Sequence, residues 1–257
     1  MLPASYEELN RLQATHWWYR AQFDILGKLL AKYAPGRFDS ALDVGCGPGG
    51  FTRFVSSLAG RTSGADVYEP ALEYARKNSP DITFFSADAN DLKELPPGET
   101  FDLVTLFYVL CHQWVDEDKV LSGVRERLDD GGIILVADSA FPVLFRGHDK
   151  AVGAVRRYTR KTLRTVLERN GFFLLHTTYL HACLFPPVLL VALRDRLYDA
   201  VGYKADVPPE LNLDENSRLV NAVMYRFLVG EQALFSLAGS PPLGINVVAI
   251  AQKRTEG

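Results

Sequence analysis

Leu42-Asp43-Val44-Gly45-Cys46-Gly47-Pro48-Gly49 is the stretch whose reading decides the fold. Ala41 to Val44 reads as a buried strand, and glycines at 45, 47 and 49 follow it directly. Without Cβ atoms the backbone there turns sharply and approaches a ligand closely. Phe51, Phe54, Val55 and Leu58 then recur at helical spacing, which predicts a helix over 51–59. A helix that starts behind a glycine turn offers unpaired N–H groups and a positive dipole end to a carboxylate or phosphate. Gly45-x-Gly47-x-x-Gly50 also meets the dinucleotide fingerprint, so the loop by itself leaves two ligands open.

Outward from the loop, strand-like and helix-periodic segments alternate, the signature of parallel βαβ units. A second strand ends at Asp66 and a helix covers 70–77. A third strand runs from Ile82 to Phe85, before Ser86-Ala87-Asp88, and Phe101 to Phe107 form a fourth, apolar enough to be covered on both faces. A helix over 117–128 leads through Asp129-Asp130-Gly131-Gly132 to a fifth strand, Ile133 to Ala137. Thr159 caps a helix over 160–169 that stops at Asn170-Gly171. Phe172 to Thr178 and Ile245 to Ala251 complete the strands. The expected fold is a Rossmann-like, doubly wound α/β sheet of seven strands. Residues 41–178 make its core and 245–257 its final strand and tail. Residues 1–40 are expected as an N-terminal helical lid carrying His16-Trp17-Trp18-Tyr19. Residues 179–244 have helical patterns over 187–201 and 216–238, broken at Pro208-Pro209, and are expected as a helical cap. Both additions are expected above the carboxyl ends of the strands, where open α/β sheets bind ligands.

The bulk composition narrows the partners. The 257 residues are 47% hydrophobic and 23% charged, and the net charge of -3 argues against a nucleic-acid binder, which needs a basic face. Cys46, Cys111 and Cys183 have no framework spacing, and Met1 to Asn10 lacks a signal-peptide layout, so a reduced, cytoplasmic setting is expected. The most apolar window, Ala182 to Leu193, is short and holds Pro186-Pro187, reading as a buried or interfacial helix. No His/Cys/Asp cluster has metal-ligand spacing.

Asp43 separates the two ligands. It sits two residues before the first glycine, where a buried carboxylate needs a partner. The ammonium of S-adenosylmethionine is one, and a nicotinamide dinucleotide has none. Asp66, about 20 residues on, suits ribose hydroxyls of either ligand. Asp88, with Phe85, Ala89 and Leu92 as apolar walls, suits an adenine amino group.

At this point the chain resembles the class I S-adenosylmethionine-dependent methyltransferases. The matching pieces are LDVGCGPG (42–49), GADVYEPALEYAR (64–76), Ala87-Asp88-Ala89, FDLVTLFYVLCH (101–112) and LDDGGIILV (128–136), in order. The resemblance implies that Asp43, Gly45 and Gly47 hold the methionine end, Asp66 the ribose, and Asp88 and Ala89 the adenine. Phe107 then faces the methionine or the acceptor. Tyr19, Arg20, Cys46, Gly49, Val67 and His112 join the implied cofactor set. The flanks resemble a methyltransferase type 11/12-like branch, through His16 to Arg20, His148 to Tyr158, and the Leu/Phe/Pro-rich Tyr179 to Lys253. Ala154 stands where that branch has a second histidine.

The catalytic candidates are His148, His112 and Tyr158. His148 has an ordinary pKa suited to proton removal, with Asp149 placed to tune it. The plainer readings are a loop histidine, a core histidine and a core tyrosine. Arg156-Arg157 is a candidate clamp for an anionic acceptor or an anionic membrane surface, and the apolar insertion suggests a lipid-linked acceptor and peripheral membrane contact. The expected activity is methyl transfer to a small molecule, on oxygen first and nitrogen next. A nicotinamide-dependent oxidoreductase and a non-catalytic cofactor-binding homologue are the alternatives. The oligomeric state and the acceptor are not legible.

Overall fold

A computed structural model describes residues 3–201 and 217–254. Two helices, α1 (Pro3–Thr15) and α2 (Trp17–Tyr33), precede β1 (Phe38–Val44), α3 (Gly50–Ser56), β2 (Ala59–Asp66), α4 (Glu69–Asn78) and β3 (Thr83–Ser86). The second half follows with β4 (Phe101–Phe107), α5 (Glu117–Arg127), β5 (Leu128–Ser139), α6 (Gly147–Ala151), α7 (Arg160–Arg169) and β6 (Phe172–Leu180). Then come α8 (Phe185–Ala200), α9 (Arg218–Ala238) and β7 (Asn246–Lys253).

The seven strands form one sheet in the order β3-β2-β1-β4-β5-β7-β6. All neighbours are parallel except β7, which runs antiparallel to both β5 and β6. The winding reverses between β1 and β4, so the loops after these two strands face each other at the switch point. Period-two alternation decides which core each residue joins. In β5, Ile133, Leu135 and Ala137 face α2 and α3, whereas Ile134 and Val136 face α5 and α7. In β7, Val248 and Ile250 face the first group, and Val247, Ala249 and Ala251 the second.

Three expectations change. Helix α5 stops at Arg127, and the Asp129 to Gly132 segment read as a link belongs to the longer β5. A short helix, α6, stands where no element was expected. Helix α2 is not a lid: Ile25, Leu26, Leu29 and Leu30 are buried in one cluster with Ala41, Leu103, Leu135 and Ile250, so it is part of the sheet's covering layer. Of the cap, α9 lies along α2, tied by Tyr225 Oη to Asp24 (2.9 Å) and Trp17 N to Asn221 (2.9 Å). The Pro208-Pro209 break lies outside the described residues. Among the described residues no helix is long and apolar enough to cross a membrane.

Candidate active site

The glycine loop is fixed to its neighbours by its backbone. The Gly45 and Cys46 N–H groups both donate to the Ala65 carbonyl (2.7 and 3.0 Å). Gly45, Gly47 and Gly49 have φ of 74°, 52° and 81°, the left-handed region that side chains disfavour. A Cβ at Gly45 lies 2.6 Å from Val109 Cγ2, so the loop also touches the segment after β4. Asp66 at the end of β2 accepts the Gly47 and Tyr68 N–H groups, each at 2.9 Å, and so clamps the loop to the strand beside it.

Asp43 lies beneath the loop rather than on it. Its carboxylate is buried and accepts hydroxyl hydrogen bonds from Thr52 of α3 and Thr105 of β4, both 2.7 Å. Burial pushes its pKa up to about 7, against those two hydroxyl bonds. Asp43 ties α3 to β4 under the glycines. Asp88 accepts the Asn90 backbone and side-chain amides (both 2.9 Å), shaping the turn after β3, and Val67 beside Asp66 is exposed. Phe107 stacks on Phe51, 4.3 Å between centroids, and so joins the end of β4 to the start of α3.

Beside the loop lies a cavity of about 400 Å³, lined by Gln13, Arg20, Phe23, Gly50, Arg53 and Tyr225 among others. The Arg20 guanidinium stands 5.0 Å over the Tyr225 ring, and Arg53 donates to Ser79 (3.2 Å) and Asn10. Gln13 Oε1 is buried without a partner, and it occupies the space a Cβ on Gly50 would fill. Two guanidiniums and one unsatisfied acceptor therefore meet at the start of α3. That set matches a zwitterion: cations for a carboxylate, an amide oxygen for an ammonium.

Residues 41–132 match the family model described as a methyltransferase domain. A malonyl-[acyl-carrier protein] O-methyltransferase of Enterobacter lignolyticus is 30% identical over 182 residues, 67% of this chain and 66% of that protein. The mitochondrial ubiquinone biosynthesis O-methyltransferase of Candida albicans is 33% identical over 120 residues, 42% of this chain. This chain spans only 36% of that relative's length. The N-methyltransferase NodS of Bradyrhizobium japonicum, solved with S-adenosyl-L-homocysteine, superposes with a TM-score of 0.57 at 14% identity, covering 95% of this chain and 91% of NodS.

Residues 41–132 form a methyltransferase domain, and the chain is similar to the class I S-adenosylmethionine-dependent methyltransferases.

The three catalytic candidates are held by different partners. Tyr158 is a core residue, its hydroxyl shared between the Leu110 carbonyl (3.1 Å) and Glu117. His112 stacks on Trp114 (4.7 Å, 10°), with Nδ1 unpartnered, and its backbone bridges to Ala154. A histidine at 154 would therefore adjoin it. His148 sits half-buried on α6, where burial first and Arg146 second lower its pKa. Asp149 does not hydrogen-bond to it but pairs with Arg157 (2.9 Å) and accepts the Arg146 N–H.

The expected arginine clamp is likewise spent. Arg156 donates to the His112 and Val115 carbonyls (3.1 and 2.9 Å), and Arg157 holds Asp149 and the Ala140 carbonyl. Tyr19 is buried, and burial also pushes the Cys46 thiol up, so neither reads as a reactive group. Sequence reasoning missed Gln13 and Arg53. Neither stands in a motif, since each acquires its place only when α1 crosses the start of α3.

Proposed function

We propose that the chain methylates a hydroxyl oxygen of a small-molecule acceptor. The observation that carries the methyl-donor half is the zwitterion cradle of Arg20, Arg53 and Gln13 beside the glycine loop. In this reading Arg20 and Arg53 hold the methionine carboxylate and Gln13 Oε1 its ammonium. Asp66 takes the ribose hydroxyls on its remaining lone pairs, with Val67 against the sugar. Asp88 and Ala89 hold the adenine, and Phe107 walls the reacting end. Bound S-adenosylmethionine supplies an electrophilic methyl group on a sulfonium. The protein's part is to align the acceptor, exclude water and receive the acceptor's proton. Oxygen is favoured over nitrogen because the two sequence relatives described above carry O-methyltransferase names. The three free cysteines fit the reduced, cytoplasmic setting that belongs to this proposal.

Isothermal titration tests it. S-adenosylhomocysteine binds the wild-type protein at micromolar concentration and NADH does not. Arg20→Ala combined with Arg53→Ala weakens the homocysteine ligand by about 100-fold, two charge-assisted contacts being worth roughly 3 kcal/mol. Unchanged affinity in the double variant sinks the cradle. Binding without turnover on any hydroxylated acceptor leaves a cofactor-binding homologue.

A further inference from the structure

Among the described residues, three residues other than glycine have positive φ: Tyr108 (57°), Phe141 (57°) and His181 (60°). Each lies within two residues of the carboxyl end of a strand, β4, β5 and β6 respectively. Bulky side chains in this region cost about 1–3 kcal/mol each and persist where the surroundings over-determine them, commonly at ligand sites. These three stand on one edge of the sheet, beside the start of β7, whose Asn246 pairs with Ser139 and Leu180.

The polar atoms along that edge are left incomplete. Gln22 Nε2 donates to Tyr108 Oη (2.8 Å) and Asn246 Oδ1 (3.0 Å), and Asn246 Nδ2 donates to the same Tyr108 hydroxyl (2.6 Å). Gln22 Oε1 has no partner, and Gln22 is only 1% exposed. His181, also 1% exposed, has no partner at either ring nitrogen. Trp18 lies one helical turn before Gln22 on the same face of α2, with its ring 4.7 Å from His181. Phe141 adds an aromatic wall against Tyr179 and Phe185 (4.6 and 5.3 Å). Tyr108 directly follows Phe107, which stacks on Phe51 at the start of α3, so this edge adjoins the methyl-donor site.

We infer that His181 and Gln22, roofed by Trp18, form the polar end of the acceptor pocket and receive an uncharged hydroxyl carried on an aromatic ring. Gln22 Oε1 requires a donor, and a neutral imidazole offers one donor and one acceptor. One hydroxyl donates to Gln22 Oε1 and accepts from the imidazole N–H, and a neighbouring second hydroxyl donates to the other ring nitrogen. A carboxylate, with acceptors only, leaves Gln22 Oε1 unsatisfied, and an ammonium, with donors only, leaves the imidazole N–H unsatisfied. The flat faces of Trp18, Phe141 and the imidazole suit a planar ring, which has to enter by displacing the Trp18 side chain. This inference rests on the methyl-transfer reading above, and its test separates the two.

The probe is catechol, titrated into the wild-type protein saturated with S-adenosylhomocysteine and followed by isothermal titration, with benzoate as the anionic control. Catechol binds and benzoate does not. His181→Phe keeps a ring of similar size and weakens catechol by about tenfold. His181→Asn, which tolerates the left-handed backbone and retains one donor and one acceptor, restores part of the affinity. S-adenosylhomocysteine affinity stays within about twofold in both variants. Catechol binding that is absent from the loaded wild type, or equal in His181→Phe, overturns the inference. Absent S-adenosylhomocysteine binding overturns the methyl-donor reading instead.

Discussion

Gly45 shows how one missing Cβ serves backbone and packing together. Its φ of 74° is left-handed, and a methyl group there meets Val109 Cγ2 at 2.6 Å. Gly45→Ala is expected to lower the unfolding free energy by about 1–3 kcal/mol in urea and to weaken S-adenosylhomocysteine binding by moving the loop. An alanine variant that binds like wild type shows that the loop tolerates the shift. Asp43 and Asp138 give a second residue-scale prediction. Both carboxyls are buried and pushed up to about 7, from 3.8 in an open chain. The stabilisation from each is full below 3.8 and is lost as pH rises through about 7. His181, pushed down to about 3 by burial, works the other way below pH 6.5. The readout is therefore the difference between wild type and Asp138→Asn. Urea unfolding at pH 8 and pH 5 should give the variant a smaller gain on acidification than the wild type. Equal gains refute the raised Asp138 pKa.

Among elements, α6 illustrates what a short helix contributes. Its Asp149 and the neighbouring Arg157 form an ion pair with side chains 4% and 6% exposed. Arg157→Ala strands a buried carboxylate and should cost about 3–5 kcal/mol of stability. Arg164 pairs with Glu168 on the exposed side of α7, and Arg164→Ala should cost about 0.5 kcal/mol or less. Denaturant titration of the two variants side by side checks the contrast, and similar losses contradict it. In the sequence Arg157 and Arg164 lie seven residues apart and look alike. Only the folded contacts separate the buried Arg157 from its solvated neighbours, because pairing depends on which loop closes over which strand. Strand β4, by contrast, was legible to the residue: Phe101 to Phe107 is nearly all apolar because it is covered on both faces. Helix α2 was legible as a helix but not as a layer. Amphipathic period shows that a face is buried and says nothing of what buries it.

At the scale of the whole molecule, ligand and fold are linked. The proposed site, spanning the loops after β1, β2 and β3 and reaching α1 and α2, would add its binding energy to the folded state alone. S-adenosylhomocysteine at about 100 times its dissociation constant should add roughly 2.7 kcal/mol. The thermal midpoint should then rise by roughly 5–10 °C, with NADH producing no rise. A midpoint indifferent to both ligands contradicts the site. The order of motifs along the chain, from the glycine loop through Asp66 and Asp88 to β4, was readable without coordinates. Each is a local rule of turn chemistry or strand burial, expressed within a few consecutive residues. What only the tertiary structure decided is the content of the pockets. Gln13 and Arg53 meet because α1 crosses α3. Gln22, Tyr108 and Asn246 meet because β7 enters antiparallel between β5 and β6 and brings residue 246 beside residue 108, and the same strand pairs residue 246 with Leu180, next to His181. Local sequence carries periods and turns. Contacts between residues more than a hundred positions apart arise only when the whole sheet has closed.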